Sequence, residues 1–330
     1  MANSSQPTNN NQRNLIHESI DITATSGQNF LIDKVFTWLV YVFAAVTVAV
    51  LFWMSWIIFQ QALPAIQKFG LGFLWSQEWD TGNLLFGALP YIYGTLVSSA
   101  IAMLLSVPVG LAVALVTSEN FIPPSARITI AFIVELIAAI PSVIIGLWGV
   151  YVFIPVLIPL QTWLSTTFAW LPLFNTPGPA GFNLFTAGII LAIMILPTMA
   201  AISRDVLLVV PKELRSGSMA LGSTRWETIF RVVLPAGFSG IVGAAMLALG
   251  RALGETMAIT MVIGNSAQIS ASLLDPGYTI PSVLANEFAE AQDPLHLGAL
   301  TYLGLILFAV TLAVNICALA VVQFVGSKNK

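Results

Sequence analysis

Three charged side chains fall where charge is costly. Arg251 and Glu255 stand four residues apart in the apolar stretch 237–265, and Glu135 lies seven residues into another, 128–156. A charged group in the middle of a hydrocarbon layer costs at least about 2.5–3.5 kcal/mol, so it calls for a partner and a task. One task is structural: an ion pair locking two helices together. The other is transport, in which the Arg251 guanidinium eases an anion through a low-dielectric stretch while the acids hold its side chain and keep it from becoming a permanent trap. The two are compatible. Ser142 and Thr256 are the hydroxyl neighbours in these stretches and complete the candidate path. In one continuous helix Arg251 and Glu255 share a face. The expectation is therefore that Arg251 contacts Glu135, Glu255 or an acid of a partner subunit, because an unpaired buried guanidinium is too costly.

Other chemistries lack their residues. No Gly-x4-Gly-Lys-Ser/Thr cradle for nucleotide phosphates is present. His17 and His296 are the two histidines, which argues against a metal cluster, and neither Ser142 nor Ser266 has a nearby histidine base. Cys317 is the single cysteine and sits in an apolar run, which reads as a buried, inert thiol. The chain carries no catalytic set.

The elements that must position these residues follow from composition. Of 330 residues, 57% are hydrophobic and 8% are Asp, Glu, Lys or Arg, against about 25% charged in a soluble domain; the mean hydropathy is +0.89. A soluble enzyme and a disordered chain are both excluded, and a net charge of −3 argues against nucleic acid. Uncharged runs of 33, 38, 68 and 34 residues separate Lys34 from Lys68, Asp80 from Glu119, Glu135 from Arg204 and Asp293 from Lys328. A crossing needs about 20 apolar residues, so the longest run holds two, broken at the turn-rich segment 175–183. With 237–265 this gives an all-α polytopic membrane protein of six transmembrane helices, near 35–62, 90–116, 128–156, 184–204, 237–265 and 297–325. Residues 1–34 form a polar tail with no apolar leader core, and 326–330 a short C-terminus. With both termini inside, ten of the twelve basic residues fall on the cytoplasmic side, as the positive-inside rule requires.

The long inner loop, 205–235, carries dense local signals. Pro211 suits a helix start and Gly222 a left-handed stop, and Thr224-Arg-Trp-Glu227 is a capping box opening a second short helix that ends before Pro235. Leu214 and Leu221, bordered by Lys212 and Arg215, form an apolar stripe suited to docking. After Gly222 come nine residues, then Val232, one residue, and Leu234-Pro235. This spacing resembles the Gly-x9-Ile-x-Leu-Pro half of the signature loop of ABC-importer permeases; Ser216-Gly217-Ser218 stands where that family usually has Glu-Ala-Ala, with Glu213 one helical turn earlier. The stretches 135–146 (ELIAAIPSVIIG) and 250–265 (GRALGETMAITMVIGN) resemble the PstC family of phosphate-specific importer permeases, the second favouring it over the sister PstA family.

What the resemblance implies is a type I ABC-importer permease in a bacterial inner membrane, partnered by a PstA-like permease, two PstB-like ATPases holding ATP-Mg, and a periplasmic phosphate-binding protein. Inorganic phosphate would be the cargo, and no cofactor would bind this chain. It also implies that the loop, with Leu214, Arg215, Ser216, Gly217, Ser218, Leu221, Gly222, Leu234 and Pro235, docks on an ATPase. The alternative is a stand-alone secondary transporter or channel for an inorganic anion; such proteins often show two matching halves, and no internal repeat is visible.

Overall fold

The computed structural model describes residues 29–327, with side chains over 33–320. Of the expected tail 1–34, residues 1–28 lie outside the described residues, as do residues 328–330 of the expected C-terminus 326–330; residues 29–34 belong to a helix. Among the described residues, six helical segments are long and apolar enough to cross a membrane: Asp33–Leu74, Leu89–Ser118, Ser142–Thr167, Leu184–Val209, Arg225–Gly254 and Pro294–Ala320. The chain divides into two compact units, Met1–Trp56 and Ile57–Lys330. In the first, the described residues belong to helix α1 (Asn29–Phe69), whose apolar side chains from Val35 to Trp56 are mostly exposed, as suits a lipid-facing helix.

The second unit is built around α6 (Leu184–Val209). Its residues Leu184, Ile190, Leu191, Ile195, Met199 and Leu207 are almost wholly buried. Against it pack α2 (Leu89–Ser118), α9 (Leu234–Gly254) and α3 (Pro124–Ala138). Gly110 of α2 lies so close to Met199, and Gly188 of α6 so close to Ile101, that no Cβ fits at either glycine. Close approach through small residues is how helices gain contact where lipid supplies no hydrophobic driving force. A second cluster at one end joins Ala65, Phe73, Phe86, Tyr91, Tyr278 and Val283 to α12 (Pro294–Ser327), beside a two-stranded hairpin, β1 (Trp79–Asp80) and β2 (Leu85–Phe86). A third, small cluster of Ala114, Leu207 and Val233 closes the opposite end.

Three boundaries differ from the sequence expectation. The third crossing is shifted. Helix α3 stops at Ala138 and the chain restarts at Pro141, extended at ψ 137°, as α4 (Ser142–Trp148), continuing into α5 (Ile154–Thr167). A proline disfavours the helical region for the residue before it, and α3 alone is too short to cross. The long apolar run concealed this break because no charge marks it. The fifth crossing also moved: it begins at Arg225 and ends at Gly254, and α10 (Met257–Val262) is a separate piece. Finally, the second loop helix does not stop before Pro235. Helix α8 (Arg225–Thr228) passes through a wide turn at residues 229–233, in which the Leu234 amide reaches the Ile229 carbonyl, directly into α9. The same turn recurs at 149–153, just before Ile154-Pro155. In both places a proline lacks its amide and would clash with the carbonyl four residues back; a five-residue turn displaces that carbonyl and keeps the helix running.

Candidate functional site

The charged residues of the fifth crossing lie at its break. Arg251 is in the last turn of α9, exposed, with its Nη1 3.4 Å from the Thr198 hydroxyl of α6. Among the described residues it forms no ion pair. The expected pairing with Glu255 fails because the helix ends at Gly254: Glu255 adopts extended backbone at ψ 125°, so the four-residue spacing no longer places the two side chains on one face. The Glu255 carboxylate instead accepts the Ala258 amide at 3.4 Å, capping the start of α10, and Thr256 donates to the Gly254 carbonyl at 3.1 Å. Arg251 thus sits in the last turn of a helix, a position that favours a cation by about 0.3–1 kcal/mol without any acid.

Glu135 is elsewhere. It is exposed near the end of α3 and shares a small cleft with Thr117, Ala131, Val134, Ala200 and Arg204, so its basic neighbour is Arg204. Ser142 is half-buried at the start of α4, just beyond the Pro141 break. Neither Glu135 nor Glu255, two of the three partners expected for Arg251, therefore meets it. Cys317 corrects another expectation: it is exposed on α12, on a lipid- or partner-facing surface. Among the described residues no cluster of His, Cys, Asp and Glu could hold a metal.

One face of α9 is bare. Gly243, Leu247, Gly250 and Gly254 recur at three- and four-residue steps, with Arg251 four residues after Leu247. Added Cβ atoms at the three glycines would meet nothing within 4 Å, and Leu247 is 61% exposed. Gly243, Leu247 and Gly250 line a cleft with Ile202 of α6 and Asn315 of α12, so Arg251 projects beside a roomy, apolar, small-residue surface that the chain itself leaves only partly covered.

The loop is a preformed knob. Helix α7 (Lys212–Ala220) follows Pro211 and closes with Gly222 at φ +88°, where the Gly222 amide donates to Met219 and the Ser223 amide to Ser218. This is the double-bonded glycine stop that satisfies the last carbonyls of a helix. The capping box is complete: Thr224 Oγ1 accepts the Glu227 amide at 3.3 Å and Glu227 accepts the Thr224 amide at 2.8 Å. Leu214, Ser216, Gly217, Leu221 and Gly222 are exposed, Leu221 at 89%; Ser218 is half-buried against Thr228. Leu234 is half-buried and Pro235 exposed inside the continuous helix. Arg215 is the exception. It points inward, with 17% side-chain exposure, to Glu119 at 3.0 Å and to the Val210 and Leu207 carbonyls at 2.6 and 2.7 Å. It does not border an outward stripe. Sequence reasoning missed Glu119 because an acid just after a long apolar run looks like any interface charge, and missed Thr198 because nothing distinguishes it from other hydroxyls in apolar helices.

Residues 106–329 match the family of binding-protein-dependent transport system inner membrane components. The phosphate transport system permease protein PstC of Mesorhizobium japonicum is 46% identical over 259 residues, covering 77% of this chain and 79% of the relative. The chain belongs to the PstC family of these permeases. The PstC proteins of Xylella fastidiosa and Mycobacterium leprae are 44% and 39% identical over 258 and 268 residues, covering 77% and 79% of this chain and 79% and 84% of theirs. The PstC-family chain also shares its fold with chains of solved ABC transporters. A chain of a bacterial alginate ABC transporter, solved with its alginate-bound periplasmic protein, aligns with TM-score 0.56 at 17% identity over 89% of this chain and 96% of that one. A chain of the inward-facing MetNI methionine transporter gives 0.51 at 20% identity over 72% and 94%. This PstC-family member is a multi-pass inner-membrane permease subunit.

Proposed function

We propose that this chain forms half of the translocation path of an ATP-driven phosphate importer. The observation that carries the reading is Arg251. In a chain up to 46% identical to phosphate permeases, it is a guanidinium with no ion-pair partner among the described residues, standing on the bare glycine-rich face of the fifth crossing. A permanent carboxylate partner would neutralise it, whereas a hydroxyl and helix-end carbonyls leave its charge free for a passing dianion. A second, PstA-like permease covers that face and completes the path.

Two PstB-like ATPases bind the exposed side of α7 and hold ATP-Mg; this chain supplies no nucleotide site. A periplasmic phosphate-binding protein delivers the cargo at the hairpin end. In this reading both termini are cytoplasmic, residues 1–34 form a cytoplasmic tail, 35–325 the permease domain with the coupling loop 205–235, and 326–330 the cytoplasmic C-terminus. The basic residues of the loop, Lys212, Arg215, Arg225 and Arg231, support that orientation.

The test is uptake of labelled phosphate by the purified complex in liposomes, with the binding protein and ATP inside and outside as appropriate. Arg251→Ala is expected to lower uptake at least about a hundredfold, the ~3 kcal/mol typical of deleting a preorganised charge-stabilising donor, while the complex still assembles. Full uptake by Arg251→Ala removes this residue from the path. Uptake by the wild type without ATP or without the ATPase subunits favours a stand-alone transporter instead.

A further inference from the structure

We propose that the Arg215–Glu119 pair is the link by which the coupling helix moves the second crossing. The inference rests on the proposed ATP-driven function and assigns a role inside it that neither residue carries by docking. Helix α7 is covalently tied to α6 through Val210-Pro211 and to α8 and α9 through residues 221–224. It has no covalent tie to α2, which lies about ninety residues earlier in the chain. Arg215 supplies a non-covalent tie in its place. Its Nε and Nη2 donate to the same Glu119 oxygen at 3.1 and 3.0 Å, while Nη1 and Nη2 donate to the Val210 and Leu207 carbonyls at 2.6 and 2.7 Å. Glu119 is the residue that ends α2, its amide closing on the Leu115 carbonyl, and Leu207 and Val210 end α6. One guanidinium thus fastens α7 to the ends of the two most closely packed crossings.

Position and exposure both fit a transmission role. The pair is largely shielded, at 17% and 18% side-chain exposure, so it escapes the screening that makes surface pairs nearly worthless. The turn that carries Glu119 grips the knob a second time: Phe121 stacks on Trp226 of α8, with ring centroids 5.1 Å apart and planes at 27°. A force applied to the exposed Leu214 and Leu221 side therefore reaches α2 through Glu119 and Phe121, and α6 and α9 through the backbone. Cutting Glu119 leaves the knob attached to α6 and α9 through the backbone but to the end of α2 only through the Phe121–Trp226 stack. The second crossing then follows the ATPase mainly at second hand, through its packing on α6 at Gly110 and Gly188.

The experiment is the ratio of phosphate taken up to ATP hydrolysed by the whole complex in liposomes. Glu119→Gln keeps the carbonyl contacts of Arg215 and removes the charge; it is expected to lower the ratio about tenfold, the equivalent of ~1.4 kcal/mol in coupling. Arg215→Met is expected to lower it at least as far, and the double variant no further than Arg215→Met alone, because the two residues form one link. Arg215→Lys, which retains the charge, is expected to recover part of the ratio. If uptake and ATP hydrolysis fall together, so that the ratio stays at the wild-type value, the pair is only structural and the inference is overturned. An unchanged ratio in both single variants at full activity overturns it as well. A wild-type complex without ATP-dependent uptake would instead refute the underlying functional reading, and is seen before any variant is made.

Discussion

Arg251 illustrates how much a charged residue owes to the exact end of a helix. Four-residue spacing made Glu255 one of three expected partners, and the end of the helix at Gly254 removes it. What remains is a cation stabilised by backbone dipoles, which costs less than an unpaired charge in mid-helix and leaves the guanidinium available. Gly222 is the complementary case, legible in full. It has φ +88° and nothing within 4 Å of an added Cβ, so the penalty for substitution is conformational and not steric. Gly222→Val should cost about 1–2 kcal/mol in the knob, lowering phosphate uptake per ATP hydrolysed in liposomes, whereas Gly222→Asn, which tolerates the left-handed region, should stay near wild type. Equal coupling in the two variants would refute this account of the turn. On the hairpin, Asp80 accepts hydrogen bonds from the Asn83 side chain at 2.7 Å and from the Asn83 and Gly82 amides. These bonds, the Asn83 side chain first, hold its carboxyl below the usual range. A depressed folded-state value means the turn's stabilisation is present above the ordinary carboxylate range and is lost as pH falls through the lower, folded value. Titration by carbon-detected NMR should show this, and Asn83→Ala should move the midpoint upward.

At the scale of elements, the six crossings were readable because lipid demands long apolar runs, and charge gaps mark their ends. The interruptions were not readable. Pro141 breaks one crossing, whereas Pro108 and Pro197 lie inside continuous helices; the outcome depends on which neighbouring groups take up the freed carbonyls, and sequence does not say. Buried polar contacts were equally hidden. Gln161 of α5 donates to the Thr186 hydroxyl at 2.8 Å and accepts from Asn183 at 2.9 Å, while Thr186 donates to the Gly181 carbonyl at 2.6 Å and its amide to Asn183 Oδ1 at 2.9 Å. All three side chains are fully buried. The closed network caps α6 and ties it to α5. Gln161→Leu strands the Asn183 amide and should destabilise the subunit by about 1–3 kcal/mol, read as a lower melting midpoint in detergent; an unchanged midpoint would show that water substitutes. Gly94→Ala should be worse, since its Cβ would overlap the Tyr278 carbonyl, a backbone atom that cannot step aside. Little folded subunit should be recovered from membranes.

At the scale of the whole molecule, the proposed function makes the glycine-rich face of α9 the surface that a second permease covers. In a Cys317→Ser background, cysteine placed at Leu247 should cross-link to that subunit, while cysteine at Phe308 of α12, which is 64% exposed, should remain free if that surface meets lipid. Cross-linking at 308 and none at 247 would put the partner on the other side. The unbroken run from Arg225 to Gly254 has one more consequence. A helix turns about 100° per residue, so the number of residues between the capping box and Arg251 sets the angle at which the knob stands relative to the glycine face. The wide turn at 229–233 enters that angle, and it cannot be regularised while Pro235 follows it. Inserting a single residue there would leave every contact surface chemically intact and still swing the knob about a quarter of a revolution away from its partner. The interval from the capping box to Arg251 therefore acts as a clock setting: what it specifies is the direction in which two surfaces point, and any sequence that keeps the interval and its wide turn keeps the direction.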